Sequence, residues 1–156
     1  MTSTPTTKSI DTLNSFLRGE ISAVETYAQV IEKLKDAPIP KLAENQACHS
    51  KRVSALRSRV LALGGTPAES SGVWGSLAKL YEGSAKVFGR DAAVAAIEEG
   101  EDRGLADYRK SYPDLDTTSQ MLLSQDLLPA QERTHAAARD IKHMGVDQAQ
   151  KRSARF

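Results

Sequence analysis

Four stretches of this chain repeat apolar residues at three- and four-residue intervals, and each stripe is broken by a carboxylate, an amide or an imidazole. The first reads Leu13, Leu17, Glu20, Val24, Tyr27, Ile31. The second reads Leu42, Gln46, His49, Val53, Leu56, Val60, Leu63, and the third Val94, Ile97, Glu101, Leu105, Tyr108. The fourth reads Met121, Leu128, Glu132, His135, Ala138. This spacing puts each set on one face of an α-helix. The chain is therefore expected to be all-α, with four faces buried against one another. A carboxylate or imidazole at such a position costs free energy unless a partner satisfies it. Several at mid-stripe point to a metal site, or to a buried polar network left over from one.

Punctuation between the stripes sets the organisation. Residues 1–8 read as a disordered N-terminus, with Ser9 or Thr7 capping a first helix that runs to Lys35. Asp36-Ala37-Pro38 stops it, because the residue before a proline disfavours the α region. Pro38 and Pro40 suit the first turn of a second helix, which ends at Leu63 with Gly64-Gly65 as its C-terminal cap. In the long stretch that follows, Trp74, Leu77, Leu80 and Tyr81 predict a short helix over 74–87. A third helix runs from Asp91 to Tyr112. A fourth starts at Asp116 or Thr117, kinks at Pro129 and ends at Met144, before Gly145. The reading is one bundle over 9–144: two antiparallel hairpins joined by an end-to-end crossover. Residues 145–156 read as a flexible basic tail carrying Lys151, Arg152 and Arg155.

The two halves echo each other. Glu20 precedes Tyr27 by two turns, as Glu101 precedes Tyr108, and each half has a stripe histidine on its second helix, His49 or His135.

Composition narrows the function. A net charge of +1 gives no electrostatic case for nucleic acid. One cysteine, Cys48, excludes an intramolecular disulfide framework and favours a reducing, cytoplasmic setting. Met1 to Thr7 are polar, so no signal peptide is read there, and no apolar run approaches the roughly 18 residues a membrane helix needs.

Bundles that hold two irons on carboxylates use a Glu from each of two helices and a Glu-x-x-His pair from each of the other two. Residues three apart share a helix face, so a carboxylate and an imidazole can reach one ion together. Glu132-Arg133-Thr134-His135 fits that pair, and Gln46-Ala47-Cys48-His49 fits it with an amide in place of the acid. Glu20 and Glu101 supply the single glutamates; Glu98 is the alternative on the third helix, in poorer phase with Val94 and Tyr108.

The segments from Leu13 to Tyr27 and from Leu128 to His135 resemble the ferritin-like superfamily, the first being similar to the opening helix of bacterioferritins and rubrerythrins. From residue 9 to 144 the chain looks closest to a bacterial ferritin-like family of uncharacterised function, through Leu63-Gly64-Gly65-Thr66-Pro67 and Gly100-Glu101-Asp102. The resemblance implies a ferritin-like four-helix bundle with a short helix in its crossover. It makes Glu20 and Glu101 terminal ligands, Glu132 a bridging carboxylate, and His49 and His135 nitrogen ligands. Gln46 stands where the other bridging glutamate belongs. Tyr27 and Tyr108 become flanking donors or radical sinks.

Two functions follow as expectations. One is a non-haem metal protein, di-iron or mononuclear, binding iron or manganese and handling iron or reducing dioxygen or peroxide. The other is a metal-free helical bundle, an interaction or stress-related protein, homodimeric in one form, with a vestigial polar core. Gln46 favours the second. Among minor features, Arg52 is expected to pair with Asp102, Gly100 and Gly104 to mark a close helix contact, and Cys48 and His143 to carry no chemistry.

Overall fold

A computed structural model describes residues 4–72 and 89–155, the side chains of 146–153 apart. The predicted helix over 74–87, with Trp74 and Tyr81, lies outside the described residues. Helix α1 spans Pro5–Lys33, α2 Pro40–Ala62 and α3 Arg90–Ser111. A 3-10 turn, Tyr112–Asp114, leads to α4, Thr117–Leu122, and a π turn, Leu123–Leu127, joins α4 to α5, Leu128–Ser153. No strand occurs among the described residues.

Local chemistry explains most of the boundaries. α1 begins earlier than the sequence indicates, because Thr4 accepts a hydrogen bond from the Thr7 amide and Pro5 occupies the first turn, where a missing N–H costs nothing. α2 ends where Gly64 takes a left-handed φ of 80°. Gly65 is held to a hydrogen there by Ile10, whose Cγ2 would lie 2.8 Å from an added Cβ. Asp116 caps α4 as expected, accepting from the Ser119 amide. α5 continues through Gly145, since one helical glycine costs only about 1 kcal/mol relative to Ala.

The expected kink at Pro129 takes the form of the π turn. The proline has no N–H to give Gln125, and its ring would strike that carbonyl in a regular helix. A wider turn at 123–127 relieves both problems.

α1 packs on α2 and α3, and α5 packs on α3 and α2, which makes a four-helix bundle. Direction follows from pairings along the helices. Ser9 meets Asp116, Phe16 meets Tyr108 and Tyr27 meets Glu101, so α1 and α3 are antiparallel. Asn45 reaches the Thr134 carbonyl of α5 and Arg59 the Ser119 hydroxyl of α4, so α2 is antiparallel to the rod that α4 and α5 form. Each hairpin is antiparallel within itself, hence α2 and α3 run the same way, and the end of α2 and the start of α3 lie at opposite ends of the bundle. After α2, residues 66–71 follow α1. Asn14 holds Thr66 and Ala68 through their backbone, and the Ser71 hydroxyl donates to Glu25.

The core is divided. One apolar cluster gathers Leu13, Phe16, Leu17, Leu56, Val60, Tyr108, Leu115, Leu123 and Leu127 near the start of α1. A second gathers Tyr27, Val30, Leu34, Leu42, Ala93, Val94, Ile97, Ala138 and Ile141 at the other end. Between them lies a belt of buried polar side chains.

Candidate functional site

The belt is built from one to three residues of each long helix: Glu20 from α1, Asn45, His49 and Arg52 from α2, Glu101 from α3, Gln131 and Thr134 from α5. Glu20, His49, Arg52 and Glu101 are 5%, 2%, 3% and 2% exposed, so all four ionisable groups are removed from water.

His49 bridges the two acids. Its Nδ1 lies 2.6 Å from Oε2 of Glu20 and its Nε2 lies 2.8 Å from Oε1 of Glu101. Against burial, which disfavours the charged ring, the carboxylates of Glu20 and Glu101 raise the pKa of His49, which agrees with a ring that donates from both nitrogens, one to each acid. Arg52 donates from Nε to Oε1 of Glu20 at 2.9 Å, and its Nη2 rests against the His49 ring, 2.5 Å from Nδ1. Two cations therefore face two anions, and the formal charges sum to zero.

Tyrosines close the belt from both sides. The Tyr108 hydroxyl, whose ring belongs to the first apolar cluster and meets Phe16 edge-on at 4.8 Å, donates to Oε1 of Glu20 at 2.5 Å. The Tyr27 hydroxyl reaches from the second cluster to Oε1 of Glu101 at 2.6 Å and accepts from Asn45 at 3.0 Å. On the remaining Glu101 oxygen, Gln131 donates at 2.7 Å and Thr134 at 2.9 Å. Every carboxylate oxygen of Glu20 and Glu101 thus accepts from at least one protein donor.

The electrostatics follow from this geometry. Burial pushes the Glu20 carboxyl up, but His49, Arg52 and Tyr108 outweigh it and hold the group below its ordinary range. Burial pushes His49 down, and the carboxylates of Glu20 and Glu101 raise it above its ordinary value. Burial and a neighbouring carboxylate both raise Tyr27 and Tyr108, so each stays a hydroxyl donor.

Glu20, His49 and Glu101 meet, but the other three candidates do not join them. The half-buried Gln46 donates instead to the Val24 carbonyl at 3.2 Å. Glu132 is exposed and faces Arg109 at 3.5 Å. His135 pairs with Asp102 near the surface. Glu98, the alternative to Glu101, faces Lys142 at 2.6 Å. Arg52 does not pair with Asp102 as expected, since Glu20 takes it. Among the described residues, no group of three or more His, Cys, Asp or Glu is arranged to hold a metal ion.

The fourth stripe explains much of the difference. Its buried face runs Ser119, Leu123, Leu127, Gln131, Thr134, Ala138, Ile141, while Met121 is exposed. The π turn widens the spacing to four residues through 123–131 and rotates Glu132 and His135 off the core. On α2 the buried set is Leu42, Asn45, His49, Arg52, Leu56, Val60. Asn45 and Arg52 keep helical spacing as well as Gln46 and Val53 do, but hydropathy favours Val53 over a charged neighbour. Arg52, Asn45, Gln131 and Thr134 are therefore the residues that stripe reading misses. Their one available signal is that they share a face with residues already assigned to the core.

Two clefts reach the belt from opposite sides. A cleft of about 80 Å³ between α1 and α3 is walled by Gly19, Ala23, Gly100 and Gly104, with Glu20, His49 and Glu101 at its floor. Arg52 lines the other cleft, on the α2 side, with Cys48, Lys51, Asp126 and Arg133.

A family model matches residues 8–112, which include Glu20, His49, Arg52, Glu101 and Tyr108. The chain belongs to this family, a domain of unknown function (DUF2383). Neither a curated protein nor a solved structure matches it. In this DUF2383 chain the matched span ends at Tyr112, so Gln131 and Thr134, which complete the shell of Glu101, lie beyond it. No helix among the described residues is long and apolar enough to cross a membrane.

Proposed function

We propose that this protein is a ferritin-like four-helix bundle that works without a metal, as a non-enzymatic interaction or stress-related module whose polar belt fixes the register of its helices. One observation carries the reading: all four carboxylate oxygens of Glu20 and Glu101 already accept from Arg52, His49, Tyr27, Tyr108, Gln131 or Thr134. A satisfied buried network of this kind specifies one packing arrangement, because any slip of a helix leaves buried charges unpaired. The long crossover between parallel α2 and α3 supports the ferritin-like connectivity.

A non-haem metal centre, di-iron or mononuclear, is the second reading, with iron handling or dioxygen or peroxide reduction as its activity. The meeting of Glu20, His49 and Glu101 at one level favours it. The residues as they stand do not fit it: Gln46, Glu132 and His135 are directed elsewhere, and a guanidinium adds positive charge where the metal would bring its own.

The test is elemental analysis of protein purified without chelator, then anaerobic Fe(II) and Mn(II) titration with thermal unfolding. The metal-free reading expects no stoichiometric metal and an unchanged Tm. A ligand bound only by the folded state must raise Tm, so a rise with stoichiometric binding would overturn the reading.

A further inference from the structure

We infer that the cleft between α2 and the α4–α5 rod binds a small organic monoanion, a carboxylate with a short apolar body, through Lys51 and Arg133. The inference goes beyond the metal-free reading and does not depend on it.

The two cations stand at one level of the bundle. Arg52 Nη2 lies 3.4 Å from the Thr134 hydroxyl, and Lys51 and Arg133 are the residues that precede these two on α2 and α5. Both are exposed and both line the cleft. Neither has an ion-pair or hydrogen-bond partner among the described residues, whereas Lys41, Arg109 and Lys142 each face a glutamate. Behind them the buried Arg52 gives Nε to Glu20, while its Nη1 meets only Cys48 Sγ at 3.6 Å, a weak acceptor. Arg52 and Cys48 both line the cleft, so this guanidinium nitrogen retains donor capacity there.

Two acids share the cleft with these cations. Glu44 is held by Lys41 at 2.8 Å, and Asp126 has no partner among the described residues. Lys51 and Arg133 set against Asp126 leave an excess of positive charge too small for a dianion and suited to a monoanion. The remaining wall is apolar, with Ala55, Leu122, Leu127 and Ala130, and the volume of about 380 Å³ is that of a small-molecule site. Asp126 and Leu127 belong to the π turn, and turns of this kind recur at functional sites. A carboxylate with a short apolar body matches both parts of the cleft, its oxygens on the cations and its body on the alanines and leucines.

The experiment uses the full chain and benzoate as the probe. Cys48, the single cysteine of the chain, is half-buried in the cleft, so its alkylation by neutral iodoacetamide reports occupancy. Benzoate is expected to slow that alkylation saturably, with a Kd of about 1 mM. Lys51→Gln and Arg133→Gln, both at exposed positions, should each raise this Kd about fivefold or more. Benzyl alcohol, which lacks the charge, and inorganic phosphate, which lacks the apolar body, should protect about tenfold more weakly or less. Absence of saturable protection by benzoate, or a Kd unchanged in both variants, would overturn the inference. Phosphate protecting as strongly as benzoate would reduce the cleft to a patch of charge and overturn it as well. No arm of this experiment involves a metal, so the metal-free reading stands or falls separately, on the Fe(II) and Mn(II) titration.

Discussion

Tyr108 donates its hydroxyl to Glu20 across the α1–α3 interface, at 2.5 Å. Tyr27 does the same for Glu101 at 2.6 Å, because two Glu-Tyr pairs of equal spacing on antiparallel helices must cross. Each tyrosine keeps its ring in one apolar cluster and its oxygen in the belt. Tyr108→Phe and Tyr27→Phe are each expected to cost about 1–3 kcal/mol in urea unfolding, since a buried carboxylate loses a donor. Tyr112→Phe, at an exposed tyrosine, should change stability by less than about 0.5 kcal/mol. Equal small effects at all three positions would rule out the tyrosines as belt donors.

Arg52 and Glu20 should show strong coupling. Arg52→Met or Glu20→Gln alone leaves an uncompensated buried charge, and a loss of about 3–5 kcal/mol is expected for each. The double variant removes both charges, so its loss should fall short of the sum by about 1–3 kcal/mol. Strict additivity in chemical denaturation would show that the pair does not interact.

The belt also sets a pH window. Burial raises Glu20, but His49, Arg52 and Tyr108 leave its folded value below its ordinary 4.5, so its contribution is present above 4.5 and is lost as the pH falls through the lower folded value. Burial lowers His49, but Glu20 and Glu101 leave its folded value above its ordinary 6.5. Its contribution is complete below 6.5 and is lost as the pH rises through the folded value. Stability measured by urea unfolding should therefore have a plateau with one acid and one alkaline limb. His49→Gln should flatten the alkaline limb; if that limb is unchanged, the imidazolium is not part of the balance.

Gly100 and Gly104 should respond with opposite signs. A Cβ at Gly100 meets nothing within 4 Å among the described residues, so Gly100→Ala is expected to raise stability by about 0.5–1 kcal/mol. A Cβ at Gly104 would lie 3.0 Å from Nε2 of Gln131, which is pinned by the carbonyl and carboxylate of Glu101. Gly104→Ala is expected to lose that gain and more. Two stabilised variants in thermal melts would contradict the packing at Gln131.

The residues outside the belt give a contrast. Glu132→Gln and His135→Gln should shift Tm little, because their partners are near the surface and such pairs contribute about 0–1 kcal/mol. Asp116→Ala should cost more, about 1–2 kcal/mol, since this carboxylate caps α4 and takes hydrogen bonds from Ser9, Ser119 and Arg59. A large Tm loss at Glu132 or His135 would return them to the core.

The sequence by itself determined the helical class, the Pro and Gly breaks, the α1 and α3 stripes, and the presence of Glu20, His49 and Glu101 in the core. These depend on spacing within one helix, which local periodicity records. Tertiary structure decided which polar neighbours joined them. Asn45 and Arg52 fit the α2 stripe no better than Gln46 and Val53 until α1 and α5 close around it, and the charge of Glu20 then outweighs hydropathy. On the fourth rod, Pro129 opens a π turn that rotates Gln131 and Thr134 inward and Glu132 and His135 outward. A stripe extrapolated at constant spacing cannot register a turn whose width is set by a clash and by packing on the other helices.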